Sequence, residues 1–349
     1  MKKTLSFLLA LLMIFSFAAC GKAEDVVTFA TEESGGQTVT EEEKITDETV
    51  IRLMALQGPT GMGIASLLHN NTQNEGNRCR YEAELVSSAE ISNIAAAIAK
   101  GECDIAAVPI NLASTLYNKT NGNVRVLCAN TLGVLYLLEN GNEVNAVSDL
   151  QGKTLYATGK GSTPEFILRY VLTQSGIDPD KDVTINFVAD HTELASMLTT
   201  DTASIGMLPE PNVSAVLATN PSFRVALDMT DQWKSVAPEG AELIQGVFIA
   251  RKEFVDQHES LVKAFLKDYN DSQKLVNSDT DKGASLIVEA GILPKEAIAK
   301  KAIPGCNITY LTGEAMKQGV KTCLEVLFQA EPTSVGGVLP ADDFYYLAS

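Results

Sequence analysis

The chain has 349 residues, of which 45% are hydrophobic and 20% are charged, and its formal net charge is -17. This composition predicts a globular protein with room for about two domains and excludes a fibrous or wholly disordered chain. Such an acidic surface repels phosphate backbones, which argues against nucleic-acid binding. It is compatible with a small anionic ligand, because local dipoles inside a cleft outweigh the net charge there.

The first 19 residues have the pattern of a lipoprotein signal peptide. Lys2 and Lys3 precede an apolar run over 5–17, which is too short to span a bilayer and is typical of a signal sequence. Two alanines and then Cys20 follow, an order that resembles a bacterial lipobox. It predicts cleavage before Cys20, acylation of its thiol and a lipid-anchored protein on the extracytoplasmic face of the cell membrane. The alternative is a plain secretory signal that happens to contain a cysteine.

Residues 20–48 are predicted to form a disordered acidic tether. They hold nine acidic residues against two lysines, and the rest is largely Thr, Ser, Gly and Gln. Such a segment buries too little apolar surface to offset the entropy cost of ordering it. Its like charges also extend it, so it would set the reach of the protein above the membrane.

The cysteines and histidines predict neither catalysis nor metal binding. Five cysteines remain beyond Cys20, without a C-x-x-C pair, and the three histidines lie far apart in the sequence. No catalytic residue, metal or cofactor is therefore assigned, and we expect no enzymatic activity. Cys103 and Cys128 lie in apolar runs and are expected to be buried. The sequence does not decide whether Cys306 and Cys323 form a disulfide bridge.

The hydrophobic pattern alternates strands with helices up to residue 251, which is typical of parallel βαβ units in an α/β protein. Strands are predicted over 51–56, 81–87, 104–109, 124–138, 153–158, 182–188, 203–208, 223–228 and 241–251. Helices are predicted from 64 and over 89–100, 111–118, 164–174, 192–200 and 212–219. The remainder up to residue 329 is predicted to be nearly all helix.

An internal repeat relates two parts of this pattern. Both parts run strand, glycine-rich turn, helix, strand, helix, strand. The span from Gly61 to Pro109 and the span from Gly161 to Pro209 are both 48 residues. Chance similarity of short apolar strands is the alternative to a true repeat.

The repeat predicts two similar Rossmann-like α/β lobes. Lobe one would cover 49–134 plus 247–349, and lobe two would cover 135–246. The long apolar runs at 124–138 and 241–251 would then be the crossovers between the lobes. Two crossing strands form a hinge, and a hinge permits closure on a ligand.

Each glycine-rich turn follows a strand and precedes a helix, which is where open α/β sheets bind ligands. A helix N-terminus offers unpaired N–H groups and about half a positive charge, and glycine permits close approach of the backbone. Two such termini facing one cleft would suit a carboxylate, a sulfonate or a similar head group; the alternative is a pair of structural turns with helix caps. The residues predicted to line the site are Pro59, Thr60, Gly61, Met62, Gly161, Ser162 and Thr163. Neither turn has the spacing of a nucleotide-binding loop.

Two further candidates directly follow the last strands of the repeat. The Glu210 carboxylate could bind an amine or a ring N–H of the ligand, or it could instead stabilise the start of its own helix. Asn111 occupies the equivalent place in lobe one, where the alternative is an N-cap. Tyr136 is either core or part of the site, and Trp233 is either a ligand platform or the anchor of a surface loop.

Several segments resemble the solute-binding lipoproteins of ABC importers of the nitrate/sulfonate/taurine and thiamine-precursor (NMT1/THI5-like) type. The resemblance lies in the lipobox, the turn 58–63 and the segments 149–163, 176–183, 208–211 and 246–252. It implies a type II periplasmic-binding-protein fold of two lobes and delivery of a solute to a membrane permease. It also implies ligand contact by Thr60–Met62, Gly161–Thr163 and Glu210.

We therefore expect the extracytoplasmic solute-binding component of an ABC importer, a monomer that captures a small anionic or zwitterionic solute between two lobes. A sulfonate, nitrate, a carboxylate or a pyrimidine precursor would fit this description. Two alternatives stay open. One is an enzyme of pyrimidine-precursor synthesis on the same fold, and the other is a sensory or adhesive surface lipoprotein.

Overall fold

The computed structural model describes residues 46–87, 90–239 and 241–347. The signal peptide, Cys20 and the acidic segment up to residue 45 lie outside these residues. The strands are β1 (Ile51–Leu56), β2 (Tyr81–Val86), β3 (Ile105–Pro109), β4 (Val124–Thr131), β5 (Leu135–Asn140), β6 (Thr154–Ala157), β7 (Thr184–Phe187), β8 (Ile205–Pro209), β9 (Phe223–Asp228), β10 (Gly246–Arg251) and β11 (Ile308–Leu311).

The helices flank these strands, and five of them follow the last long strand. They are α1 (Pro59–Met62), α2 (Ala65–Gln73), α3 (Ile91–Lys100), α4 (Ile110–Lys119), α5 (Thr163–Gln174), α6 (His191–Thr199), α7 (Asn212–Thr219), α8 (Met229–Val236), α9 (Lys252–Gln257), α10 (Glu259–Ser278), α11 (Thr280–Glu289), α12 (Glu296–Ala302) and α13 (Gly313–Ala330). Short 3₁₀ turns add Val147–Leu150, Ile303–Cys306, Pro332–Val335 and Asp342–Phe344.

The strands form two sheets, which share one topology over five strands, and β11 adds a sixth strand at the edge of sheet one. Sheet one has the order β11-β4-β10-β3-β1-β2, and sheet two has the order β7-β6-β8-β5-β9. In sheet one β1 is parallel to β2 and β3, whereas β10 is antiparallel to β3 and β4. In sheet two β6 is parallel to β7 and β8, whereas β5 is antiparallel to β8 and β9. The two α/β units predicted by the internal repeat are therefore confirmed.

The antiparallel strand inside each sheet enters directly from the other half of the fold. Strand β5 follows β4 of sheet one after only three residues, and β10 follows the last helix associated with sheet two. We call sheet one with its helices lobe one, and sheet two with its helices lobe two. A single apolar core cluster contains residues of both lobes, including Val108 of β3 and Leu155 of β6.

Local sequence explains most of these elements. In β3, residues 105–108 are all buried, which suits a continuous apolar run covered on both faces. Helix α3 buries Ile94, Ala97 and Ile98 on one face and ends at Gly101, whose φ of 76° is left-handed. Glycine adopts that conformation without steric cost, so the helix stops there.

Two predicted elements differ from the structure, and one strand was not predicted. The run 124–138 is two strands, because β4 pairs in sheet one while β5 pairs in sheet two. In the run 241–251 the strand begins only at Gly246, and the apolar residues before it are buried without strand pairing. Strand β11 was not predicted, since four residues are too few to show an alternating pattern among helices.

Trp233 is neither a ligand platform nor a surface-loop anchor. It lies on α8, is fully buried and donates its indole N–H to the Ala241 carbonyl oxygen at 2.8 Å. Its ring packs on Tyr170 with a centroid distance of 5.1 Å. Both interpretations of Trp233 are therefore wrong, because helix α8 was not recognised in the sequence.

The five described cysteines are all buried and free, so Cys306 and Cys323 do not form a bridge. Burial of Cys103 and Cys128, as expected, places both in the core of lobe one. Buried unpaired cysteine behaves as a small apolar residue.

The end of the acidic segment contacts the fold. The Asp47 carboxylate lies 2.6 Å from His258 Nδ1, and the Glu48 carbonyl accepts a hydrogen bond from Arg80. The hydrogen bond from His258 lowers the pKa of Asp47 to about 2. Asp47 and Glu48 therefore pack on lobe one and do not belong to the disordered tether predicted for 20–48.

A buried carboxylate fixes the loop before β2 to helix α10. Asp268, whose side chain is 0% exposed, accepts hydrogen bonds from the backbone N–H groups of Arg78 and Cys79. It also accepts from the Arg78 guanidinium at 3.1 Å and the Tyr81 hydroxyl at 2.6 Å. Several buried donors thus share one acceptor group.

We predict that Asp268→Ala lowers the free energy of unfolding by about 3–5 kcal/mol, because it leaves those buried donors without their acceptor. Asp271→Ala is the matched control, since Asp271 binds the same guanidinium but is 59% exposed. That variant should lose less than about 1 kcal/mol. Urea unfolding measures both changes, and equal losses would contradict the assignment.

Candidate ligand-binding cleft

A hydrogen bond joins the two lobes at the starts of α4 and α5. The Thr163 hydroxyl of lobe two donates to the Asn111 side-chain oxygen of lobe one at 2.9 Å. Thr163 is 2% exposed and Asn111 is 8% exposed. Asn111 lies just after β3, Thr163 follows the turn after β6, and both belong to the predicted site. The structure therefore brings these two predicted residues together between the lobes.

The first glycine-rich turn forms the four-residue helix α1. Pro59 and Thr60 are half-buried, and the Thr60 carbonyl accepts from the Asn130 amide at 3.2 Å. A Cβ at Gly61 would lie 2.3 Å from the Leu56 carbonyl oxygen. Close packing on the end of β1 therefore requires this glycine, without reference to a ligand.

Met62 closes this turn and faces a second sulfur atom. Its side chain is fully buried, and its Sδ lies 3.6 Å from Cys306 Sγ in the 3₁₀ turn 303–306. Burial, with a smaller contribution from Glu210, raises the pKa of the Cys306 thiol well above its usual value. Cys306 is therefore a neutral thiol at physiological pH.

The second glycine-rich turn uses several of its polar groups internally. The Gly161 N–H donates to the Glu165 carboxylate at 2.7 Å, and the Ser162 hydroxyl donates to the Gly159 carbonyl at 2.8 Å. Gly161 is exposed, whereas Thr163 is buried at the lobe junction. The first N–H groups of a helix have no acceptor within the helix. Thr163 is therefore the member of this turn that can present both a hydroxyl and an N–H to a solute.

Glu210 is buried between its own helix and lobe one. It is 6% exposed, and its two oxygens accept from the Ser214 N–H at 3.0 Å and the Ser214 hydroxyl at 2.9 Å. Burial raises the pKa of this carboxyl. A Cβ at Gly305 of lobe one would lie 3.1 Å from Glu210 Cγ. Glu210 thus stabilises the start of α7 and also borders the opposite lobe.

Tyr136 spans the same junction. Its hydroxyl donates to the Gly305 carbonyl at 3.1 Å, which links β5 of lobe two to lobe one. Burial raises the pKa of Tyr136, and the negative charges of Asp228 and Glu210 raise it further. Tyr136 is therefore a neutral donor at the boundary and only partly a core residue.

Two connections join the lobes, residues 132–134 and the segment that ends at Gln245, and hydrogen bonds at Gln245 hold them together. The Val134 N–H donates to the Gln245 side-chain oxygen at 2.6 Å, and the Gln245 N–H donates to the Thr131 carbonyl at 3.0 Å. The carbonyl of Gln245 accepts from the Ile110 N–H at 3.1 Å. One residue therefore joins both connections to the start of α4.

Close packing restricts the shorter connection. A Cβ at Gly133 would lie 2.1 Å from Thr230 Oγ1. The Gly133 carbonyl accepts from the Asn307 amide at 2.5 Å, and the Asn307 carbonyl accepts from the Leu132 N–H at 3.1 Å. The connection is thus held from both lobes.

Sequence reasoning missed Asn130, Gln245, Gly305 and Asn307. Each is a single polar or glycine residue next to an apolar segment, so hydrophobic periodicity carries no signal for it. Their positions depend on contacts between distant parts of the chain.

Two surface cavities lie away from this junction. One of about 210 Å³ is bordered by residues 47–49, 70–71, 74–75 and 77–80, and one of about 280 Å³ is bordered by Arg52, Asp104 and Arg251. Among the described residues, no group of three or more His, Cys, Asp or Glu side chains could hold a metal ion. Within the same part of the chain, no helix has the length and apolar character needed to span a membrane.

Comparison with protein families identifies residues 73–288 as a match to the model described as the NMT1-like family. The Bacillus subtilis (strain 168) protein YtlA is 26% identical over 133 residues, which are 38% of this chain and 37% of that protein. The alignment therefore spans little more than a third of this curated relative.

Solved structures share the fold over most of this chain. The structure of an ABC transporter from Parabacteroides distasonis has a TM-score of 0.72 and 25% identity, covering 86% of this chain and 100% of that one. The periplasmic aliphatic sulphonate binding protein SsuA from Escherichia coli has a TM-score of 0.65 and 14% identity, covering 84% of this chain and 91% of that one. The fold is that of the type II periplasmic binding proteins, which confirms the fold that the sequence resemblance implied.

We predict that Thr163→Val opens the lobe junction. The variant loses a hydrogen bond whose net contribution is about 1 kcal/mol, so the closed form should become about fivefold less favoured. Amide hydrogen exchange at the starts of α4 and α5 should accelerate by a similar factor. Ser162→Ala is the control, because its hydroxyl bonds within its own turn; if both variants exchange alike, the cross-lobe bond does not hold the junction closed.

Proposed function

Because this chain belongs to the NMT1-like family, we propose that it is the extracytoplasmic solute-binding component of an ABC importer. The similarity to an ABC transporter structure at 25% identity over 86% of the chain supports this proposal. The observation that carries it is the Thr163–Asn111 hydrogen bond, because it joins two helix starts from different lobes across one junction. No catalytic step is part of the proposal.

The proposed mechanism is closure of the two lobes around a small anionic or zwitterionic solute. The connections at 132–134 and 237–245 act as the hinge. In the loaded protein, the Thr163 hydroxyl and the Asn111 amide turn from each other to the solute. The positive end of the α5 dipole adds attraction for an anionic group. Closure removes water, which strengthens these electrostatic contacts.

A solute must first displace the contact between the lobes. Thr163, Asn111 and Glu210 are all less than 9% exposed, so the described conformation is closed at these residues. Opening costs the Thr163–Asn111 bond, and binding repays that cost with contacts from both lobes. The solute therefore gains affinity only if it bridges the lobes, which links capture to closure.

The partners in this proposal are a small solute and a permease in the membrane. The lipobox-like sequence supports acylation at Cys20, which would hold a monomeric protein at the extracytoplasmic face of the cell membrane. The acidic segment that follows would let the folded lobes reach the permease.

Binding should raise the thermal unfolding midpoint. A solute at a hundred times its Kd stabilises the folded state by about 2.7 kcal/mol, which corresponds to a shift of about 5 °C. A thermal-shift screen of sulfonates, nitrate, bicarbonate, carboxylates, amino acids and pyrimidines at millimolar concentration measures this. If none of these classes shifts the midpoint, solute capture is not the function.

The anion-binding role of α5 has its own test. Thr163→Glu places a negative charge at the lobe junction and should abolish any shift produced by an anionic solute. Asn142→Glu adds the same charge at an exposed position and should leave that shift unchanged. A Thr163→Glu protein that keeps the full shift would remove this helix start from the site.

Lipid anchoring predicts the behaviour of Cys20→Ser. Without a thiol to acylate, the precursor carries no lipid, so incorporation of a labelled fatty acid into the protein should be lost. Fatty-acid labelling followed by isolation of the protein measures this, with Cys128→Ser as a control that leaves the first cysteine intact. Equal labelling of wild type and Cys20→Ser would contradict lipid attachment at this residue.

A further inference from the structure

Glu210 is a buried carboxylate without a cationic partner among the described residues. Its two oxygens accept hydrogen bonds from the N–H and the hydroxyl of Ser214. No Lys, Arg or His side chain of the described chain forms an ion pair with it, although other buried carboxylates have one. Asp104 is bound by Arg52 and Arg251, and Asp268 is bound by Arg78.

An unpaired buried carboxylate costs free energy, because it loses hydration that two neutral hydrogen bonds replace only in part. Capping of α7 does not require this cost, since a neutral Asn or Ser side chain can accept from a helix N–H. The burial of Glu210 therefore calls for a role in which its charge is used.

The surroundings of Glu210 favour a cation. Across the junction lie Gly305 and the neutral thiol of Cys306, and on the same lobe lies the Tyr136 hydroxyl. Asp228 and Asp231 add negative charge close to Tyr136. This end of the junction is therefore electronegative and repels an anionic group.

The positive potential at the start of α5 follows the strand next to β8. Glu210 follows β8 and Thr163 follows the turn after β6, and these two parallel strands are neighbours in sheet two. Neighbouring strands lie about 4.8 Å apart. In lobe one, Asn111 follows β3 and Met62 follows the turn after β1, and those strands are also neighbours. An electropositive helix start and an electronegative carboxylate thus follow neighbouring strands of sheet two and both border lobe one.

We infer that the solute is a zwitterion whose ammonium or similar cationic N–H group binds the Glu210 carboxylate while its anionic group lies at the start of α5. This inference rests on the proposed function and narrows its substrate class. The solute needs a separation of only a few atoms between its two charged groups, because the two sites follow adjacent strands. A simple anion such as nitrate or an unsubstituted alkylsulfonate would leave Glu210 unpaired.

Matched pairs of probes test the inference by thermal shift and calorimetric titration. Each pair shares an anionic group and differs only in the amine: 2-aminoethanesulfonate with ethanesulfonate, β-alanine with propionate, and 4-aminobutyrate with butyrate. We expect the amine-bearing member of at least one pair to bind about tenfold or more tightly than its partner. Equal or stronger binding by the partner overturns the inference and leaves solute capture intact. Failure of every probe overturns the inference, whereas solute capture falls only if the wider screen fails as well.

The Glu210→Gln variant tests whether the charge of this residue causes the preference for the amine. Glutamine can accept from the Ser214 N–H and donate to its hydroxyl, so the cap on α7 is kept while the charge is lost. The variant should lose the preference for the amine-bearing probe. Ser214→Ala is the control, since it removes a hydrogen bond to Glu210 but keeps the charge, and it should retain the preference. If Glu210→Gln also retains the preference for the amine-bearing probe, the Glu210 carboxylate does not bind the amine.

A measurement without any probe addresses the same charge. At pH 8 the ligand-free Glu210→Gln protein should unfold at a higher temperature than wild type, because it no longer buries an unpaired carboxylate. Tyr136 and Cys306, which lie near this carboxyl, stay neutral at that pH, and the nearby Asp228 and Asp231 are present in both proteins, so none of these groups masks the effect. A lower midpoint for the variant would mean that the charge stabilises the fold by itself, which overturns the inference.

Discussion

The side chain and backbone of Gln245 hold together the two connections on which the architecture depends. Its side chain accepts from Val134 on one connection, while its own backbone bonds to Thr131 and Ile110. Each lobe completes its sheet with a strand that has just left the other lobe, so the relative position of these connections fixes how the two sets of strand ends face each other. The meeting of Asn111 and Thr163 is a consequence of this constraint.

Electrostatics inside the junction differ from those of the whole chain. A formal charge of -17 opposes anion binding in general, yet the start of α5 presents a local positive potential. The Glu210 carboxylate presents the opposite potential after the neighbouring strand. The net charge of the chain therefore does not predict the charge of the solute. The order of charged and dipolar groups along adjacent strand ends does.

The sequence predicts much of this arrangement because local rules govern it. The equal spacing from Gly61 to Pro109 and from Gly161 to Pro209 predicts two similar lobes, and strands β1 and β9 occupy the predicted residues. Asn111 and Thr163 were predicted as site residues from their places after strands. Their type and position follow from general rules on parallel sheets and helix starts.

What the sequence did not predict depends on contacts between distant residues. Helix α8 buries only Met229 and Trp233, four residues apart, so its apolar stripe is too narrow to distinguish it from a polar loop. Gly305 matters because Glu210 and Tyr136 lie against it, and nothing near position 305 indicates either partner. Gly61 was predicted to allow approach of a ligand, whereas its closest neighbour is the carbonyl of Leu56.

The five buried thiols place chemical reporters at different depths of the protein. Burial raises the pKa of Cys79, Cys103 and Cys323 to about 12, so the reactive thiolate is scarce at neutral pH. Cys128 lies within strand β4, and a reagent reaches it only when sheet one comes apart. Cys306 instead follows Gly305, which lies against Glu210 and Tyr136 of lobe two. The rate of Cys306 alkylation relative to that of Cys128 would therefore distinguish opening of the two folded lobes from global unfolding, without any added label.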